Sequence, residues 1–397
     1  MRSINIKRMR EANISLVLNV IRTKGPISRY DVSKITGLSP SAVSSIVEVL
    51  LESGIIKETP AKETKVGRRP IELSMNDTNF YPIGIEIEND RVTGIVLNLR
   101  GEIIKKKVFL LDSNTEPDFV LSKVVEIYES LRNEIYPKQV MGLGVAIPGS
   151  LDRERGICLF APNLGWQNVS VMEFLKERIK DTEIFLEHIT KAATLGELWF
   201  GGGIGKENII CVRVGSGVSA GFVINGNLYR GYTDRAGEFG HTVVEKDGKK
   251  CKCGNYGCLE TYVSTQVLID KVKEGLEKGA YIKVNLEMDR REKLLDQIIQ
   301  AGREGDRFIL NIFEEMGEYL GIGIANLVNL LNPELVIITG GLSKAQDLLL
   351  NPVKRNLKLR AFPPIPDVIT SRLREDACVV GAATCVLESK FSKIFSY

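Results

Sequence analysis

The 397-residue chain has few of the features that mark membrane or secreted proteins. No stretch reaches the ~18 uninterrupted apolar residues of a membrane span, and no apolar segment of the signal-peptide kind follows the basic opening residues 1–8. The seven cysteines are an odd number, and four of them lie scattered among apolar residues, which is typical of reduced thiols. The sequence therefore predicts a soluble cytoplasmic protein with no membrane partner and no disulfide framework.

Two common nucleotide-binding signatures are also missing. The sequence contains no Gly-x-x-x-x-Gly-Lys-Ser/Thr motif, and its first strand is not followed by the glycine pattern of dinucleotide-binding proteins. Beyond a polar connector at residues 75–81, β-rich segments alternate with helical patterns, which predicts an α/β body. The predicted strands are Ile83–Ile87, Val92–Asn98, Ile103–Leu110, Gly142–Ile147, Ile209–Val214 and Leu335–Ile338.

Histidine is scarce, and one of the two histidines lies close to three cysteines. Structural zinc prefers thiolate and imidazole ligands in a tetrahedron, and Gly254 and Gly257 supply the backbone freedom that a tight metal loop needs. Ordinary core residues or a disulfide pair are the alternatives. The candidate ligands of a structural Zn²⁺ are His241, Cys251, Cys253 and Cys258.

Two acidic residues flank this cluster. Glu238 lies in the run Gly-Glu-Phe-Gly-His that ends at His241, and Glu260 follows the last cysteine by two positions. A metal loop that fixes two carboxylates is typical of the floor of a polar ligand site.

Charge is unevenly distributed along the chain. Residues 1–76 hold 13 Lys and Arg against 7 Asp and Glu, a balance of +6, so the other 321 residues carry −3 of the total of +3. A basic head on a mildly acidic body indicates a polyanionic partner for the head alone.

The head has the pattern of a winged helix-turn-helix. A first helix ends at the breakers Gly25 and Pro26, Ser28 caps a second helix that runs to about Thr36, and Ser39 caps a third that ends near Gly54. Segments 55–58 and 71–74 are predicted to pair as a hairpin around a basic wing.

Small hydroxyl residues near the start of the third helix can approach bases and phosphates closely, and wing arginines can enter a minor groove. A helical packing module with a solvated basic loop is the alternative. The predicted DNA-binding residues are Ser39, Ser41, Ser44, Ser45, Lys65, Arg68 and Arg69.

An ordered set of motifs resembles the ROK family of sugar kinases and repressors, with the winged-helix head resembling its repressor branch. The motifs are Gly144–Gly149, Pro162–Trp166, Val214–Gly221, Gly237–His241, the cysteine run and Thr339–Ser343. The resemblance implies a two-lobed actin-like, RNase H-like body of the ATPase type. The predicted domains are a DNA-binding head at 1–76, a first α/β lobe at 77–190 and a second lobe with the zinc loop at 191–397.

Two departures from the kinase pattern indicate that this chain is not an enzyme. Ile189 occupies the position at which the resemblance implies a general-base Asp, and loss of such a base typically lowers a rate by ~10²–10⁴-fold. The first phosphate loop reads Glu88-Asn-Asp90 in place of glycines, so its side chains add bulk and negative charge. We expect no catalytic residue and no bound ATP. The second glycine loop, at residues 215–221, is expected to persist as a tight backbone turn.

The sugar-binding half of the motif set is better preserved. The resemblance implies that a sugar lies in the cleft beside the metal loop, although His188 stands where the kinases have Asn and is alternatively a polar loop residue without a ligand. The implied sugar-binding residues are Asn163, His188, Glu238, His241 and Glu260.

Together these features predict a sugar-responsive transcriptional repressor, a homodimer or dimer of dimers that binds a roughly palindromic operator and releases it when a monosaccharide binds. A sugar kinase with a regulatory head and a constitutive DNA-binding scaffold are the alternatives. The sequence leaves open whether the sugar is xylose, glucose or an amino sugar.

Overall fold

The computed structural model describes residues 2–60, 71–111, 115–282 and 291–395. The predicted wing residues Lys65, Arg68 and Arg69 lie outside the described residues. By their internal contacts, the residues form two compact units, one made of Met1–Ala192 with Val379–Tyr397 and the other of Ala193–Cys378.

The head of the first unit contains three helices and a small antiparallel sheet of order β1-β3-β2. Its elements are α1 (Arg2–Lys24), β1 (Ile27–Ser28), α2 (Arg29–Thr36), α3 (Pro40–Glu52), β2 (Ile56–Pro60) and β3 (Ile71–Met75). The predicted caps form, because the Ser28 side chain accepts the Asp31 N–H and the Ser39 side chain accepts the Ala42 N–H. The predicted hairpin is present, and β1, which the sequence analysis did not predict, adds a third strand.

A short polar joint connects the head to the rest of the first unit. Asn76 donates from its side chain to the Gly54 carbonyl at 3.0 Å. Asp77 forms ion pairs with Lys57 of β2 and, at 3.0 Å, with Arg100. Burial raises the pKa of Asp77, but the hydrogen bond from Lys57 and the two nearby positive charges outweigh it and hold the pKa below its ordinary value. The joint therefore favours an ionised Asp77.

The body of the first unit is a five-stranded mixed sheet of order β11-β7-β4-β5-β6. Its strands are β4 (Phe80–Ile87), β5 (Arg91–Leu97), β6 (Ile103–Leu110), β7 (Gln139–Ile147) and β11 (Ile184–His188), with α4 (Pro117–Ile135) between β6 and β7. A smaller sheet holds β8 (Ser150–Asp152), β9 (Ile157–Ala161) and β10 (Trp166–Val169), followed by α5 (Val171–Arg178).

The second unit contains another five-stranded sheet, of order β14-β13-β12-β15-β16, in which β12, β15 and β16 are parallel. Its strands are β12 (Ile209–Val214), β13 (Val218–Ile224), β14 (Asn227–Tyr229), β15 (Leu335–Thr339) and β16 (Asp367–Thr370). Its helices are α6 (Ile189–Phe200), which begins in the first unit, α7 (Thr265–Glu277), α8 (Arg291–Arg303), α9 (Arg307–Leu331) and α10 (Gln346–Arg360). Each of the six predicted strands lies in one of the observed strands or overlaps it.

The C-terminal helix α11 (Ala377–Phe395) packs on the sheet of the first unit, whereas the sequence predicts a second lobe that comprises all of 191–397. A Cβ at Gly84 would lie 2.3 Å from the Val379 carbonyl oxygen, and one at Gly144 would lie 1.8 Å from that of Ala382. Glycine at both positions thus lets the helix backbone approach the strands closely. The division into three domains stays a prediction.

Among the described helices, none is by itself long and apolar enough to cross a bilayer, and α2 and α3 reach that length and hydropathy only as a pair bent by 117°.

Candidate functional site

The four predicted metal ligands converge in the second unit. The ligand atoms of His241, Cys251, Cys253 and Cys258 all lie within 4.8 Å of one another. Cys251 Sγ is 3.7 Å from His241 Nδ1, and the sulfurs of Cys253 and Cys258 are 3.8 Å apart. Ligands at about 2.3 Å from one tetrahedral ion lie roughly 3.8 Å from each other, so the donor set and its spacing fit a metal ion.

The loop that carries the cysteines is shaped by its glycines and its backbone hydrogen bonds. Gly257 has a φ of 70°, and a Cβ there would lie 1.7 Å from the Glu245 carbonyl oxygen. The Cys251 N–H donates to the Asn255 carbonyl at 2.8 Å, which closes the turn around Gly254, whose φ is 95°. Only glycine fits the Gly257 position, because the backbone is both left-handed and closely approached there.

Tyr262 anchors to α9 the loop of residues 241–258, which carries the four candidate metal ligands and is called the metal loop below. Its ring stacks on that of Tyr319 with a centroid separation of 4.1 Å, and its hydroxyl accepts the Lys249 N–H at 2.9 Å. The loop is thus anchored by an aromatic pair in which Tyr262 is buried and Tyr319 is half-buried.

The three thiols differ in their environments. Cys251 and Cys258 are buried, whereas Cys253 is exposed. The pKa of Cys253 is lowered to about 7, chiefly by the hydrogen bond from the Asn255 N–H. Burial raises the pKa of Cys258 to about 12.

The two predicted acidic residues both lie near the start of β13. Glu238 is exposed and opens the short 3₁₀ turn Phe239–His241, which lies against β13 because Gly237 allows the Ala220 carbonyl to approach. Glu260 is half-buried in the turn Leu259–Thr261, and its carboxylate accepts the Val218 N–H at 3.1 Å. The structure therefore brings Glu238, His241 and Glu260 together around one end of a strand.

The other two predicted sugar-binding residues belong to the first unit. Asn163 is exposed in the turn between β9 and β10, and His188 is half-buried at the end of β11. The Thr190 N–H donates to His188 Nδ1 at 3.2 Å, so a neutral His188 carries its proton on Nε2.

Ile189 is the residue that the resemblance places at the general-base position, and this assignment stays a prediction. Ile189 is the first residue of α6 and is only 8% exposed. The two preceding residues, Glu187 and His188, are polar. The Glu187 carboxylate accepts the His188 N–H at 2.9 Å, and Arg153 lies 3.7 Å from the same carboxyl group.

In the hairpin turn between β4 and β5, a neighbouring arginine lowers the predicted negative charge of Glu88 and Asp90. Arg91 forms ion pairs with Glu88 at 3.0 Å and with Asp90 at 3.5 Å. Arg91 thus partly balances the negative charge of the two acidic side chains, which the predicted charge of this turn does not include. The sequence signal was the basic residue directly after the acidic pair.

The predicted DNA-binding serines lie at the start of α3. Ser39, Ser41 and Ser45 are exposed and Ser44 is half-buried. Ser39 Oγ accepts the Ala42 N–H at 3.3 Å and lies 3.1 Å from Ser41 Oγ. Ser39 therefore has a structural role as a helix cap, whether or not it also contacts DNA.

A winged helix-turn-helix head joined to a body with two mixed sheets and a His/Cys metal loop defines a class of DNA-binding regulator. The model of the ROK family matches residues 82–389, and that of the winged helix-turn-helix DNA-binding family matches residues 10–57. The chain belongs to the ROK family.

Known proteins are similar to this chain over nearly its whole length. The xylose repressor of Bacillus spizizenii is 30% identical over 385 residues, which cover 96% of this chain and 96% of that protein. A ROK family transcriptional regulator, described as a homologue of the E. coli MLC protein, is 27% identical with a TM-score of 0.80, and the match covers 98% of both chains.

A kinase resembles the body alone. The ROK family glucokinase of Streptomyces griseus, solved with glucose and AMPPNP, is 27% identical with a TM-score of 0.70, and the match covers 78% of this chain and 99% of that one. Together, these similarities confirm three predictions. The chain belongs to the ROK family, a winged-helix head precedes an actin-like body, and the protein is a sugar-responsive transcriptional repressor. The similarities also support a non-enzymatic regulator.

Proposed function

We propose that this protein represses transcription by binding an operator as a homodimer or dimer of dimers and releases it when a monosaccharide binds the body. The observation that carries the proposal is the combination of a DNA-reading head with a body whose general-base position holds Ile189, a buried aliphatic residue. An aliphatic side chain cannot accept a proton from a sugar hydroxyl, so a sugar bound to the body would not be activated in this way.

The effector site that we propose is centred on Glu238, His241 and Glu260. Both carboxylates can accept hydrogen bonds from sugar hydroxyls, and His241 presents Nε2 because its Nδ1 faces the thiols. Asn163 and His188 are the further contacts that we infer. D-xylose is the first candidate effector, since a similar protein is a xylose repressor.

The metal that we propose is a structural Zn²⁺ held by His241, Cys251, Cys253 and Cys258. Three thiols and one imidazole form a complete tetrahedral set, which leaves no open position for a reactive water. When bound, the ion would fix the loop that carries Glu260. The proposed role of this metal is to position protein groups, and it takes part in no reaction.

On the DNA side, we propose that Ser41, Ser44 and Ser45 of α3 read the major groove and that Lys65, Arg68 and Arg69 contact phosphates or the minor groove. Phosphate contacts supply affinity and orientation, whereas contacts to base edges supply specificity. Two heads related by a two-fold axis would read the two halves of a roughly palindromic site.

The test combines operator binding with a sugar panel. Labelled operator DNA is titrated with protein in the presence of D-xylose, D-glucose or N-acetyl-D-glucosamine, and ATP turnover is followed in the same samples. We expect one sugar to release the DNA without ATP consumption. Robust ATP-dependent phosphorylation of a sugar would replace this proposal with the kinase alternative, and operator binding that no sugar changes would favour a constitutive scaffold.

A substitution in the proposed site sharpens the test. Glu238→Ala should leave operator affinity unchanged and raise the sugar concentration needed for release by roughly 10–100-fold, the range expected when a hydrogen bond to a charged acceptor is removed. Zinc content is measured on the same sample, because a collapsed metal loop would imitate the absence of a sugar-binding group. Release at the parental sugar concentration by a zinc-replete variant would show that the sugar binds elsewhere.

A further inference from the structure

The glycine turn at the start of β13 contacts one of the proposed effector carboxylates. The turn is Gly215-Ser216-Gly217, and the next residue, Val218, donates its N–H to Glu260 Oε2 at 3.1 Å. A Cβ on Gly217 would lie 2.4 Å from the same oxygen. The carboxylate therefore fills the space that any side chain at position 217 would need.

The turn itself is held at both ends. The Gly215 N–H donates to the Gly217 carbonyl at 2.9 Å, and the Thr265 N–H at the start of α7 donates to the Gly215 carbonyl at 2.8 Å. These bonds fix the direction of the Val218 N–H. The N–H is thus a preorganised donor, whose partner loses little freedom on binding it.

The backbone of Glu260 is fixed independently by the metal loop. The Leu259 N–H donates to the Thr242 carbonyl at 2.9 Å, and the Thr261 N–H donates to the Cys258 carbonyl at 3.0 Å. Glu260 is consequently held by its backbone through the loop and by its carboxylate through the glycine turn. A ligand-binding group that is locked from both sides keeps its geometry in the absence of ligand.

We propose that Gly217 and the Val218 N–H are positioning groups that orient the Glu260 carboxylate for the effector sugar. The inference rests on the proposed function, since it assigns the turn to the same sugar site. It also gives the glycine turn a role in a chain whose first phosphate loop, at Glu88–Asp90, is expected not to bind phosphate. The Glu260 carboxylate already accepts the Val218 N–H, and its negative charge would repel a phosphate at that amide.

The test is a double-mutant cycle between Gly217→Ala and Glu260→Ala, read as the sugar concentration that releases half of the operator DNA. The sugar is the member of the panel of D-xylose, D-glucose and N-acetyl-D-glucosamine that releases DNA from the parent protein. We expect Glu260→Ala to raise this concentration roughly 10–100-fold and Gly217→Ala to raise it about 10-fold, with operator affinity and zinc content unchanged. In the Glu260→Ala background, Gly217→Ala should have no further effect, because the two residues act through one interaction.

Gly341→Ala is the matched control. It adds the same methyl group to another glycine of the second unit, where the nearest atom, of Thr265, is 3.3 Å away. This control should respond to sugar like the parent. A purely structural defect in Gly217→Ala would also appear in the Glu260→Ala background, which would overturn the inference.

The remaining outcomes separate this inference from the proposed function. If Glu260→Ala weakens the response and Gly217→Ala does not, the positioning role is wrong and the sugar site stands. If Glu260→Ala has no effect, or if no sugar of the panel releases the DNA, the positioning role and the proposed sugar site are both wrong.

Discussion

At the scale of single residues, Ile189 has the clearest functional consequence. It is buried at the start of α6, at the position where we propose that the kinases of this family have the carboxylate that deprotonates a sugar hydroxyl. We expect that one substitution does not rebuild such a site, because the turn at Glu88–Asp90, the predicted first phosphate loop, still has no glycine for a phosphate to approach.

We expect Ile189→Asp alone to show no sugar phosphorylation above the parent. Placing a carboxylate in this buried position should lower stability as well, since burial disfavours its charged form. A coupled ATP assay with the sugar panel measures activity, and Ile189→Leu controls for disturbed packing. Appearance of sugar-dependent ATP turnover in Ile189→Asp would mean that the phosphate loop is functional after all.

At the scale of elements, the metal loop joins several otherwise separate pieces. It carries the thiols, fixes the backbone before Glu260 and rests on the Tyr262–Tyr319 stack. Without a metal, the thiols would lose their bonds to the ion, and only the backbone hydrogen bonds and the aromatic stack would hold the loop closed.

Cys258→Ser should therefore lose bound zinc, lower the melting temperature and abolish the sugar response while operator binding by the head persists. Elemental analysis should find one zinc per parent chain and well under one per variant chain. Cys211→Ser serves as a control, since Cys211 is a buried thiol of β12 that lies outside the cluster. Normal stability and sugar response in zinc-free parent protein would contradict a structural metal.

The wing is the second element that can be tested as a unit. Arg68→Ala with Arg69→Ala should weaken operator binding and reduce the slope of log K against log salt by about 1 for each phosphate that an arginine no longer neutralises. The measurement is fluorescence anisotropy at several salt concentrations, with Arg372→Ala, in the second unit, as a control that removes one positive charge outside the head. Equal affinity and an equal salt slope in parent and double variant would remove the wing from the DNA interface.

At the scale of the whole molecule, the sequence predicted the features that depend on neighbours along the chain. The caps Ser28 and Ser39 and the strand segments follow from local patterns. The metal cluster was predictable for the same reason, because its four ligands lie within 18 consecutive residues.

The features that were missed depend on distant partners or on the direction of side chains. Strand β1 has two residues and so carries no periodicity. The bond from Val218 to Glu260 spans 42 positions, and the assignment of α11 to the first unit joins residues more than 200 positions apart. The charge of Arg91 was visible in the sequence, but its pairing with Glu88 and Asp90 depends on how the hairpin directs the three side chains.

The position of α11 also determines the order in which the parts of the protein can mature on the ribosome. The strands bearing Gly84 and Gly144 emerge early, but the helix that covers them is translated only after the complete second unit. At ~5–20 residues per second, the delay between Gly144 and Ala382 is roughly 10–50 s. The head, whose described helices and strands all precede residue 76, is complete long before that. A nascent chain should therefore become able to bind DNA before it becomes able to release that DNA in response to a sugar.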